Sequence, residues 1–129
     1  MCADALGDDH PHREACRAIV RAAQRGEAEL HGSVDLVQEL VFHRLRRIER
    51  AGAVEEGRFA ARLCVLLAFD THVLSRALDL TASTRVAGRG AVHAATALLN
   101  GFDAIVSPDR DFEAVPGLRR IDPADALTI

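Results

Sequence analysis

The stretch from Gly90 to Phe112, GAVHAATALLNGFDAIVSPDRDF, constrains the fold more than any other part of this 129-residue chain. Its first half is small and apolar at helical spacing. Asn100-Gly101 is a stop signal, and Asp103 to Ser107 (DAIVS) is apolar, β-branched and short enough for a buried strand. Asp109 and Asp111 follow that strand directly. Carboxylates at the carboxyl end of a strand lie where open α/β sheets place ligands and metals.

The rest of the chain repeats this alternation. Asp9 is expected to cap a first helix that carries Pro11 in its first turn and stops at Gly26. Ala28 to His31 is a short candidate strand. Ser33 caps a second helix expected to run to Gly52, with Val34, Val37, Val41, Leu45 and Ile48 as its buried stripe. A third helix is predicted over Val54 to Ala68 and a fourth over His72 to Ala82. Leu118 to Ile121 reads as a last, edge-like strand followed by a tail. Helices alternating with short apolar strands predict one three-layer α/β domain over residues 1–129, a short parallel sheet flanked by helices. Such a domain is expected to open on a buried strand. MCADALGDD is too short and too mixed for one, so the first strand reads as missing.

Composition narrows the function classes. No run reaches the roughly 18–20 apolar residues of a membrane span. No basic region precedes an apolar one at the N-terminus, so a cytoplasmic protein is expected. Cys2, Cys16 and Cys64 are odd in number and lack metal-like spacing, which predicts free, mostly buried thiols in a reducing compartment. A net charge of −3 argues against a protein that coats nucleic acid through surplus cations. It leaves open an acidic site that attracts RNA once a divalent ion is bound.

Three blocks carry a family resemblance: SVDLVQEL at 33–40, GAVHAATAL at 90–98 and IVSPDRDF at 105–112. In this order and spacing the chain resembles PIN-domain ribonucleases, and among them the VapC toxins of bacterial toxin–antitoxin pairs. The resemblance implies a cluster of acids around Mg²⁺ or Mn²⁺ that hydrolyses RNA with metal-activated water. It also implies a VapB-type antitoxin as partner, and a homodimer.

Carried over residue by residue, the resemblance makes Glu39 and Asp109 the catalytic acids. Glu39, Asp109 and Asp111 become the metal set, with Ser107 in support. As residues alone, Glu39 is a surface glutamate and the two aspartates are turn formers. Arg44 and Arg47 are candidate RNA or partner contacts, or simply a solvated helix face. Two positions depart from the family pattern. The early strand-ending acid has no counterpart, Asp4 being the nearest, and Gly90 stands where an acid opens the helix. His93, on an apolar helical face, reads as a hydrogen-bonded core residue. Two functions therefore remain: an active endoribonuclease toxin, or a catalytically inactive PIN domain that binds an antitoxin or dimerises.

Overall fold

The computed structural model describes residues 13–128. The elements are α1 (Arg13–Gln24), β1 (His31–Ser33), α2 (Val34–Arg44), α3 (Arg50–Leu63), β2 (Val65–Leu67), α4 (Thr71–Ser83), α5 (Gly88–Leu99), β3 (Ala104–Val106) and β4 (Arg119–Ile121). Short 3₁₀ turns cover Arg110–Ala114 and Pro123–Thr128. The expected cap Asp9, the first-turn Pro11 and the opening segment read as lacking a strand lie outside the described residues.

The strands form two parallel pairs. β1 lies against β2 with His31 opposite Val65, and β3 lies against β4 with Ala104 opposite Arg119. The α/β class with short parallel pairing and flanking helices is as expected, but among the described residues the strands make two sheets, order β1-β2 and β3-β4, in place of one. Helix α5 packs against α4, β1 and β3, so it ties the two pairs together.

Local chemistry explains most boundaries. Asn100-Gly101 ends α5 with Gly101 at φ 81°, where the Gly101 N–H donates to the Leu98 carbonyl (3.2 Å) and the Phe102 N–H to that of Ala97 (2.9 Å). These two hydrogen bonds satisfy otherwise orphaned helix carbonyls and turn the chain straight into β3. Gly26, at φ 75°, ends α1 the same way. Ser33 caps α2 by accepting from the Asp35 N–H at 3.1 Å, and Asp70 caps α4 by accepting from His72 and Val73.

The second predicted helix is corrected. It stops at Arg44, and Gly52, expected to end it, lies inside α3. A carbon added at Gly57 would come within 2.5 Å of the Val41 side chain, so α2 and α3 touch where a larger residue would hold them apart. Its buried stripe also differs: Leu36 and Leu40 are inside, while Val34 and Leu45 are exposed. The expected stripe followed one helical spacing, but α3 and the sheet select a different face. Val65–Leu67, read as helix, is instead β2, because it follows the end of α3 and pairs with β1. The tail forms a 3₁₀ turn that packs on α1.

The main core lies under α4 and α5. It joins Val73, Ala77, Leu80, Ala91, Ala94 and Ala95 to Phe112, Val115 and Leu118. The run of alanines in α5 is what lets the two helices approach closely. Cys64 is buried, and burial pushes the pKa of its thiol upward. Cys16 is buried too but is engaged in a disulfide, which corrects the reading of three free thiols.

Candidate active site

Asp35 and Glu39 stand four residues apart on α2, so they share one helical face. Across from them, His93 of α5 brings its Nε2 to 3.4 Å from Glu39 Oε2. One ligand atom from each of Asp35, Glu39 and His93 falls within 4.8 Å of the others, and all three residues are partly buried. Among the described residues this is the group of three whose donors converge closely enough to share one cation.

The cluster carries its own electrostatic support. Arg89 Nε lies 3.5 Å from Glu39 Oε2. The hydrogen bond with His93 holds the Glu39 carboxyl below its ordinary 4.5, burial opposes this, and the nearby charges of His93, Arg89 and His43 add to the lowering. Glu39 is therefore kept ionised, the state that a cation or a phosphodiester-cleaving centre requires.

The sign of that shift sets a pH dependence. A carboxyl whose folded pKa lies below its unfolded value adds stability above about pH 4.5 and loses it as pH falls through the folded value. Replacing His93 with leucine removes the principal cause of the shift. Thermal melts between about pH 3 and 7 should show the gap between native protein and His93→Leu widest above pH 4.5, closing on acidification. A gap that does not change with pH would mean that the two residues are not linked in titration.

Asp109 and Asp111 occupy a neighbouring place. With Gly90, Val86, Ala87 and Phe112 they line a small cavity of about 80 Å³ at the first turn of α5. The Asp109 carboxylate accepts from the Asp111 N–H at 2.9 Å and so starts the short 3₁₀ turn. Ser107 Oγ accepts from the Asp109 N–H at 3.1 Å. Asp111 pairs with Arg85 at 3.0 Å on the exposed surface. The opening turns of α5 thus carry both acidic groups, through Gly90 for one and through Arg89 and His93 for the other.

Of the two arginines expected to contact RNA or a partner, Arg44 is bound to Glu56, its Nε at 2.7 Å, with 12% of its side chain exposed. Arg47 lies on the exposed surface just beyond α2. Asp35 was not among the expected site residues. Its signal was the four-residue spacing before Glu39, which shows one face without showing what that face meets. His93 is hydrogen-bonded as expected, but to the acid itself and not to a core carbonyl.

Two short parallel strand pairs bridged by helices, with acids beside the first turns of α5, define an α/β class of protein with a candidate cation site. Residues 2–118 match the PIN domain, and the chain belongs to that family. Within it, the chain is 27% identical over 120 residues to a VapC ribonuclease of Mycobacterium bovis. It is equally similar to ribonuclease VapC13 of Mycobacterium tuberculosis, and each alignment covers 90% of both partners. No helix among the described residues is long and apolar enough to cross a membrane.

Proposed function

We propose that the chain is the toxin of a toxin–antitoxin pair, a divalent-metal-dependent endoribonuclease held in check by a VapB-type antitoxin. The convergence of Asp35, Glu39 and His93 is the observation that carries this reading. Two carboxylates and an imidazole fit a hard-to-borderline divalent ion, and the imidazole favours Mn²⁺ over Mg²⁺. These three residues would hold the ion, with Asp109 and Asp111 contributing from the adjoining cavity. A divalent ion, when bound, supplies nucleophile activation and charge neutralisation for phosphodiester hydrolysis.

The chain's own groups do the rest. His93 and Arg89 keep Glu39 ionised and fix its orientation. Arg89 is half exposed, so it can leave the carboxylate for an RNA phosphate. Ser107 orients the Asp109 backbone. Exposed Leu74 and Leu78, four apart on α4, support a homodimer. A cytoplasmic location is part of the same reading.

A second reading, an inactive PIN domain that binds an antitoxin, is favoured by one observation. Beside Asp109, Gly90 offers no donor, and Asp111 is already engaged by Arg85.

Both readings meet in one experiment on single-stranded RNA with Mn²⁺, before and after chelation, run on native protein and Gly90→Asp. A side chain at Gly90 would meet Val86 Cγ1 at 3.3 Å and Phe112 Cζ at 3.8 Å, contacts that small side-chain shifts relieve. The added acid also sits in the first helical turn, where negative charge is favoured. Chelator-sensitive cleavage by the native chain, with Mn²⁺ binding tightened about tenfold by Gly90→Asp, is the expected result. Mn²⁺ binding without cleavage in either protein would select the inactive reading.

A further inference from the structure

Of the five phenylalanines in the chain, Phe42 on α2 is the most exposed, at 45%. A single apolar residue at the surface is ordinary. What sets Phe42 apart is the company its ring keeps. The guanidinium carbon of Arg46 stands over the ring, 4.8 Å from its centroid, and that of Arg89 lies 5.9 Å away. Both fall within the roughly 6 Å over which a ring's quadrupole holds a cation. His43 packs across the same ring at 71°, with the two centroids 5.6 Å apart.

The helix places this ring beside the acids. Asp35, Glu39, Phe42 and Arg46 recur at intervals of four, three and four residues, so they lie along one face of α2 and the turn after it. Glu39 and Phe42 are neighbours there, with Cβ atoms about 5–6 Å apart. Arg89, from α5, spans the gap between them. Its Nε is 3.5 Å from Glu39 Oε2, while its guanidinium carbon reaches the ring. Acid, arginine and aromatic ring thus make one continuous strip between α2 and α5.

The chemistry of the strip selects its ligand. Among the described residues Arg46 meets no carboxylate, so its charge is open to an anion. A bare phosphate would answer the arginines and leave the ring in water. An apolar side chain would cover the ring and press against an unpaired charge. A nucleobase attached to its phosphate answers both, and only an unpaired one has a face to offer. With a net charge of −3 the chain has no surplus of cations to hold RNA by charge alone, which leaves stacking as the source of affinity.

We infer that Phe42, with Arg46, is the stacking platform for one unpaired base of a single-stranded RNA, and that Arg89 takes the adjoining phosphate beside Asp35, Glu39 and His93. The platform rests on the nuclease reading, which it deepens by naming unpaired RNA as the substrate.

The chain contains no tryptophan and no tyrosine, so Phe42→Trp carries a single indole whose emission reports on the platform alone. The probe is an unstructured, mixed-sequence RNA of about eight nucleotides, titrated in Ca²⁺, which acids bind through oxygen. Inorganic polyphosphate is the control, and a thermal melt checks that each variant is folded. RNA is expected to quench the indole saturably, and polyphosphate to leave it unchanged. Phe42→Leu keeps apolar area without a π-face. In anisotropy with labelled RNA it should bind about tenfold more weakly than native protein, while Phe42→Trp binds at least as well. Equal affinity of the native and leucine proteins would overturn the platform, and a changed mass of Phe42→Leu in light scattering would then give the ring to a protein interface. Equal quenching by polyphosphate, or no RNA binding by native protein, would overturn it too. Cleavage of the same RNA in Mn²⁺ judges the nuclease reading separately. Phe42-dependent binding without cleavage sinks that reading and leaves the platform standing; cleavage by a protein whose RNA affinity ignores Phe42 does the reverse.

Discussion

Glu39→Gln is expected to abolish saturable Mn²⁺ binding and to lower metal-dependent RNA cleavage by at least about 100-fold. The substitution keeps the shape and a hydrogen-bonding oxygen but removes the charge that Asp35, His93 and Arg89 are arranged around. Of the three converging donors, Glu39 is the only one that touches both His93 and Arg89, so its loss disperses the whole group. Isothermal titration with Mn²⁺ reads the first effect directly, and a thermal melt guards against misfolding. Retention of native Mn²⁺ affinity by the glutamine variant would move the metal site away from α2. Attention would then pass to Asp109 and Asp111.

Phe112→Ala is expected to cost about 3–5 kcal/mol of stability, lowering the melting temperature by roughly 10–20 °C. Phe112 is 5% exposed and packs in the core beneath α4 and α5. It also lines both the acidic cavity beside Gly90 and a cleft between the strand pairs. Its removal should therefore loosen both. Calorimetric melting, with hydrogen exchange across α5, measures this. A loss under about 1 kcal/mol would mean that the cavity collapses and the ring is not a keystone of the core.

Much of the second half was legible in the sequence, and the reason is local. Asn100-Gly101 ended α5 because only a left-handed residue there closes the helix carbonyls, and the alternation after it could only be a strand. Ser33 capped α2 as its hydroxyl chemistry required. The errors fell where a distant partner decides. Val65–Leu67 is helix-compatible on its own and becomes a strand because β1 lies beside it. The stripe on α2 rotated to Leu36 and Leu40 because α3 presses the Val41 side against Gly57.

The site divides in the same way. Glu39, Asp109 and Gly90 could be picked out because the blocks that hold them resemble those of PIN-domain ribonucleases; as residues alone they carried no such signal. That Glu39 faces His93 and Asp35, while Asp109 and Asp111 line a cavity of their own, is a matter of how α2 and α5 cross. By itself the sequence determined the elements that hydrogen-bond within a few residues: the helix caps, the glycine stops and the apolar strands. The tertiary structure alone decided which carboxylates converge and which strands pair. Both depend on contacts between residues tens of positions apart, whose energies no local pattern encodes.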